Sequence, residues 1–196
     1  EQATLAIQNA QLYKDMQAQR TAQVKAFQDI ANTITVSDSI RKVLNRLLDW
    51  ALKLIRQASM GEIRYLDEND DLRILATNRK KPPKKYEAVP LGQGLTGWSA
   101  EQNKTVVVGN VLKDPRYLRG QKTTRSEMVI PLVLDGRVAG VLDIQHTKLN
   151  AFSPDDIALA QAVAELATVA RQNAKLFDQI QKEKESQVQA ISEISQ

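Results

Sequence analysis

Few residues in this 196-residue chain have the type and spacing to make or break bonds. There is no cysteine. That excludes a disulfide, a thiolate nucleophile, an iron–sulfur ligand and a thioether-linked chromophore. His146 is the single histidine, and one imidazole cannot assemble a zinc site. No serine stands beside an identifiable base, so no metal ligand set and no catalytic residue is assigned, and the chain is expected not to be an enzyme. The glycines of residues 91–97 (LGQGLTG) resemble a phosphate cradle only in outline. The stretch before them is a poor strand, and the Gly-Lys-Ser/Thr spacing is absent. Residues 113–125 carry five basic side chains and one acid, Asp114. This is the best place on the chain to hold an anionic group, although a solvated loop is the simpler reading. Asp143 alternates along its strand onto the face of Met128, Ile130 and Val141, which sets a carboxylate either at a sheet margin or toward a cavity.

The elements that must position these residues follow from periodicity. Ile40, Val43, Leu44, Leu47, Leu48, Ala51 and Ile55 recur at helical spacing, which predicts a helix to about residue 57 with one buried face. Residues 60–66 and 72–77 flank an acidic turn and read as a hairpin. Residues 78–85 hold two prolines and five positive charges without interleaved aromatics, so an exposed loop is expected there, with no nucleic-acid or membrane contact. A short helix over about 95–102 and a strand over 105–108 come next. Two apolar strands, EMVIPLVL and RVAGVLDI, are joined by Asp135-Gly136, the favoured two-residue turn. A regular register would pair Leu134 with Arg137, Leu132 with Ala139 and Ile130 with Val141. Ser153-Pro-Asp-Asp156 then caps a last helix from Pro154, with no further glycine or proline.

The two ends of the chain are related. At a constant offset of 164, residues 1–32 and 165–196 are identical at 13 of 32 positions. A repeat confined to the ends predicts one period of a tandem array, bounded within connecting helices. Leu5, Leu12 and Met16 form an apolar seam in the first copy, and Val169, Leu176 and Ile180 in the second. That seam suits a parallel homodimer. The polar stretch between Met16 and Val24 shifts its phase. The expected division is 1–24 as a connecting helix, 25–180 as the domain and 181–196 as the start of the next connector. No apolar run is long enough to span a bilayer, which makes the cytoplasm the expected location, with any membrane anchor lying elsewhere in a parent protein.

Four stretches in order, 91–112, 113–118, 125–146 and 151–177, make residues 27–181 resemble the GAF domain. The resemblance implies an α+β fold. An antiparallel sheet of five or six strands carries terminal helices on one face, and short helices and loops close over a small-molecule pocket on the other. Long coiled-coil-type helices extend from both ends. With strand alternation, it nominates Trp98, Asn110, Arg116, Tyr117, Met128, Ile130 and Asp143 as the pocket lining. Several specialised members are excluded residue by residue. Bilin attachment and the cysteine chemistry of the free methionine sulfoxide reductases need a residue this chain lacks. Phe152 and Asp156 match the cyclic-nucleotide pattern, but Ile157 and Thr147-Lys148 depart from it. Asn110 stands where many relatives have Asp. Haem is not expected from His146 alone, so no cofactor is assigned.

The resemblance implies a sensory module of a larger signalling protein, such as a sensor histidine kinase. It would bind an unidentified small molecule and pass the change through its helices to adjacent domains. A ligand-free dimerising relay is the alternative, and cyclic-nucleotide binding is the less favoured one.

Overall fold

The computed structural model describes residues 40–55, 58–80, 87–120 and 122–194, with side chains through Gln187. These residues fall in one compact unit, Asp38–Gln196. Leu5, Leu12, Met16 and the connecting helix predicted over 1–24 lie outside the described residues. Six strands form one antiparallel sheet. They are β1 (Met60–Leu66), β2 (Asp71–Thr77), β3 (Ala88–Pro90), β4 (Val106–Val108), β5 (Ser126–Leu134) and β6 (Arg137–His146). Their order across the sheet is β3-β2-β1-β6-β5-β4. Both edge strands are three residues long, which leaves little unpaired backbone to template association. Residues 88–90 did not read as a strand because Pro90 ends them and only three residues pair.

One face of the sheet carries α1 (Ile40–Leu54) and α3 (Pro154–Ile194). Helix α1 buries Val43, Leu44, Leu47, Leu48, Ala51 and Leu52, the stripe expected from its spacing. It lies so close to β1 that a Cβ on Gly61 would meet Leu48 Cδ1 at 2.7 Å. Helix α3 opens with a capping box. Ser153 N and Oγ donate to Asp156 Oδ2 at 2.8 and 2.6 Å, and Asp156 N donates back to Ser153 Oγ at 3.3 Å. Its small residues Ala160, Ala164 and Ala167 are buried and bring the helix down onto the sheet. Tyr65 of β1 donates to the Ala167 carbonyl at 2.8 Å, and the Arg171 guanidinium lies 5.6 Å from the Tyr65 ring centroid. Beyond the sheet, residues 178–187 are all exposed. No helix among the described residues is long and apolar enough to cross a membrane.

The other face carries α2 (Gly94–Gln102) and the loop 109–125. Gly92 and Gly94 both hold positive φ, which bends the chain sharply into α2 as the glycine pattern implied. Beneath α2 an apolar group forms from Leu72, Val89, Leu95, Val106, Val129 and Val141, with Trp98 and Tyr117 packed against it.

The β5–β6 hairpin departs from the regular register. Leu134 pairs with Arg137 and Val133 with Val138. A bulge then follows, so that Leu132 faces Gly140, Pro131 faces Val141 and Ile130 faces Leu142. Ala139 is the extra residue. One inserted residue moves every later side chain of β6 relative to β5. Asp143 therefore shares a face with Val129 and Glu127, while Met128 and Ile130 point to the helices.

Candidate functional site

Alternation along β1 sorts its residues sharply. Gly61, Ile63 and Tyr65 face the helices. Glu62 and Arg64 face α2 and the loop, two charged groups where an apolar core would be expected. Both are buried, at 1% and 4% exposure. Burial of charge is tolerated only with close partners. Arg64 supplies them by a fork, Nε and Nη2 donating to Glu62 Oε2 at 2.9 and 2.5 Å, while Nη1 donates to the Leu72 carbonyl at 3.2 Å. Arg79, just past β2, touches the Met60 sulfur. Its Nε lies 3.2 Å from Glu62 Oε1, in ionic contact but without the alignment of a hydrogen bond.

Strand pairing brings two more acids to this place. Asp143 on β6 stands directly opposite Glu62. Glu127 on β5 pairs with Gln145 and so lies diagonal to Asp143. Asp143 and Glu127 are 2% and 4% exposed. Asp143 Oδ2 accepts from Gln145 Nε2 at 2.8 Å, and Gln145 Oε1 accepts from the Thr124 hydroxyl at 2.8 Å. Thr124 is in turn hydrogen-bonded to the half-buried Tyr117 side chain. A polar chain thus runs from the covering loop to the centre of the sheet. Asp143 Oδ1, fully buried, has no hydrogen-bond partner among the described residues.

The electrostatics follow from crowding. Burial, then the Glu62 charge, raises Asp143 to about 7. Burial, then Asp143 and Glu62, pushes Glu127 well above the usual carboxylate range. Arg64 and Arg79 oppose both shifts without cancelling them. Among the described residues the cluster holds three carboxylates against two guanidiniums, and both ion pairs end on Glu62. It lacks one positive charge. No group of three His, Cys, Asp or Glu among the described residues is placed to hold a metal ion.

The residues nominated from sequence are distributed unevenly. Asp143 stands at the centre of the cluster, and Tyr117 and Trp98 pack against the apolar group that includes Val129 and Val141. Arg116 is engaged elsewhere. It forms a bidentate pair with Asp114, at 3.0 and 2.7 Å, and its guanidinium lies 4.5 Å over the Trp98 ring. Asn110 caps the short turn Val111–Lys113, its side chain accepting from Leu112 N at 3.2 Å. Met128 and Ile130 stand on the helix side of the sheet, because of the bulge at Ala139. Sequence reasoning missed Glu62, Arg64, Arg79, Glu127 and Gln145. The signal was present at Glu62 and Arg64, a charged pair two residues apart in a strand whose other residues are apolar. His146 is buried at the end of β6. Its Nδ1 accepts from Lys148 N at 2.9 Å, and its ring meets Phe152 edge-on.

Known proteins are similar to this chain in sequence and in fold. A Dictyostelium discoideum relative, GAF domain-containing protein A, is 38% identical over 65 residues, 33% of this chain and 41% of that protein. The free methionine-R-sulfoxide reductase of Escherichia coli is 32% identical over 82 residues, 41% of this chain and 50% of that protein. The chain thus spans half or less of the length of these curated relatives. The solved structure of free methionine-R-sulfoxide reductase from Neisseria meningitidis, in complex with its substrate, superposes with a TM-score of 0.64 at 23% identity. It covers 79% of this chain and 93% of that one. The expectation of a chain outside enzyme chemistry is corrected by these relatives. It rested on the missing cysteine and on the lack of a nucleophile–base pair, yet sequence relatives and structural neighbours include enzymes. The family model described as GAF domain matches residues 37–172. That is more than two thirds of the sequence, and the chain belongs to the GAF domain family.

Proposed function

We propose that this chain is a regulatory GAF module that binds a small molecule carrying a primary ammonium, of the free amino acid class. The observation behind this reading is the unpartnered, fully buried Asp143 Oδ1 in a cluster one positive charge short. An ammonium offers three donors and the missing charge. The apolar remainder of such a ligand would lie against Val129, Val141, Trp98 and Tyr117. The substrate named for the reductase relatives, free methionine-R-sulfoxide, is a zwitterion with an ammonium of this kind.

The relatives also support an enzymatic reading. Reduction of a sulfoxide to a sulfide takes two electrons and two protons and releases water. This sequence has no cysteine, so the electrons would have to come from an added dithiol or another reductant outside the chain.

Calorimetric titration with L-methionine-(R)-sulfoxide, L-methionine and N-acetyl-L-methionine tests the binding reading. The free amino acids should bind, and N-acetylation, which removes the positive charge, should weaken affinity by about 30-fold or more, on the order of 2 kcal/mol. Equal affinity for the acetylated compound would sink the ammonium assignment. Methionine formed in the same samples with dithiothreitol would report the enzymatic reading.

Occupancy would be passed from β1 to α3 through Tyr65 and Ala167, and on through the connecting helices to adjacent domains of a cytoplasmic signalling protein, such as a sensor histidine kinase. The division at residues 24 and 180, the tandem context and the homodimer belong to this proposal. The second supporting feature is the exposed apolar stripe Val169, Leu176 and Ile180, which stand 48%, 50% and 59% exposed at spacings of seven and four. In sedimentation, Leu176→Glu combined with Ile180→Glu should turn a dimer into a monomer. A wild-type chain that stays monomeric at about 100 μM (roughly −5.5 kcal/mol) would count against the dimer. A dimer without ligand heat would favour the relay alternative.

A further inference from the structure

Glu62, Asp143 and Glu127 stand in a row across three neighbouring strands, on one face, under one loop. Directly opposed side chains on such strands have Cβ atoms about 5 Å apart, and diagonal ones about 7–8 Å. The charged and titratable groups around them come from every element packed there. Strand β1 gives Glu62 and Arg64, the segment after β2 gives Arg79, and the loop gives Tyr117 with Arg119 close to it. Strands β5 and β6 give Glu127 and Asp143. Among the described residues, the pairs Arg64–Glu62 and Arg79–Glu62 both end on Glu62. Asp143 and Glu127 stand diagonal to each other, both buried where water does not screen them, and carboxylates crowded in this way do not all ionise readily.

The remaining polar contact narrows where a proton can sit. Gln145 is held by Thr124, which fixes its amide nitrogen toward Asp143 Oδ2. That oxygen is already an acceptor. Asp143 Oδ1 is buried without a hydrogen-bond partner among the described residues, and it is also the atom an incoming ammonium would reach. Proton and ligand therefore compete for one position.

We propose that Glu127 and Asp143 hold one proton between them while the site is empty, and that an entering ammonium expels it to solvent. This rests on the ammonium site proposed above and adds its linkage to pH. The charge balances. With the site empty, three carboxylates, two guanidiniums and one proton sum to zero among the described residues. With the site filled, the ligand's ammonium takes the place of the proton. Burial and the Glu62 charge, which lift Asp143 to about 7, and burial with the Asp143 and Glu62 charges, which push Glu127 well above its usual range, are consistent with a proton retained near neutrality. Affinity for the cation should rise about tenfold per pH unit while the proton is present, and level off once it is lost. The domain would then respond to ligand and pH as one combined input.

The test is calorimetry with L-methionine-(R)-sulfoxide at about pH 6.5, in phosphate, imidazole and Tris-type buffers, whose protonation heats differ. The observed binding enthalpy should change linearly with buffer protonation heat, with a slope of about one proton released. The slope should approach zero at about pH 8, where the cluster proton is gone and the ligand's amine is still protonated. Clear binding heat with no buffer dependence at either pH would overturn the proton exchange and leave the ammonium site standing. No heat at any pH would remove the site and this proposal together. Carboxyl carbon-13 shifts of the ligand-free protein check the proton separately. One carboxyl should titrate near neutrality, and Asp143→Asn or Glu127→Gln should abolish that step. Titration of every side-chain carboxyl below about pH 5 would overturn the proposal.

Discussion

Replacing Arg64 by methionine is expected to destabilise the protein by about 3–5 kcal/mol, measured as a shift in urea midpoint. Length and apolar stem are kept, so lost packing is small. What is removed is the fork on Glu62, at 2.9 and 2.5 Å, and the donor to the Leu72 carbonyl. Glu62 is left with Arg79 alone, beside Asp143, in a setting where the side chains of the original pair are 5% and 2% exposed. Arg64→Lys should fall between, because an ammonium carries the charge but cannot span both the carboxylate and the carbonyl. Combining Arg64→Met with Glu62→Gln should recover part of the loss, with a coupling energy of about 1–3 kcal/mol. A loss below about 1 kcal/mol for Arg64→Met would mean that the carboxylate is far better solvated than its burial indicates.

Asp143→Asn should act in the opposite direction. Asp143 sits at about 7 when folded, against about 4 in an unfolded chain. Between these values the folded protein keeps a proton that the unfolded chain releases. Stability therefore falls as pH rises from about 4 to about 7, and stays at the lower level above. Asparagine carries no such penalty, and its oxygen still accepts from Gln145. The variant should be more stable than wild type by about 2–4 kcal/mol at pH 8, at about 1.4 kcal/mol per pKa unit, and nearly equal at pH 4. The same change should weaken binding of an ammonium ligand by about 100-fold, since a full charge is lost where water does not replace it. Thermal melts across pH 4–9 read the first effect and calorimetry the second. A variant less stable at pH 8 would contradict the crowding of the three acids.

Much of this fold was legible, and the reasons are local. The Ser153 cap, the Asp135-Gly136 turn, the stripe of α1 and the glycine bend before α2 each rest on a few adjacent residues whose chemistry has one good solution. The register of β5 and β6 was legible only for its first pair. Both strands are apolar on both faces, so no polar–apolar alternation marks the residue left over at Ala139. That one residue moved Met128 and Ile130 to the wrong side and hid the neighbourhood of Glu127 and Asp143. The cluster itself was illegible for another reason. Glu62 and Arg64 in a strand look like the wet face of a half-buried sheet. Nothing near them in sequence says that a loop some 50 residues later will cover them. Asn110 and Arg116, by contrast, satisfy local partners, and both pairings were readable at a spacing of two residues.

Strand β1 separates two sets of partners with nothing but parity. Its even residues meet the acids and guanidiniums, and its odd residues meet Leu48, Leu52 and Ala167. Such a strand has something like a reading frame. Deleting one residue before Glu62 would thrust a carboxylate and a guanidinium beneath α1 and α3, and would turn the Tyr65 ring toward the acids. No local adjustment could absorb that, because one face is packed closely against α1 and the other is built around paired charges. Variation in this domain should therefore be lopsided. The expectation is that lengths vary outside the strands and single residues change on either face of β1, while the number of residues in β1 stays fixed.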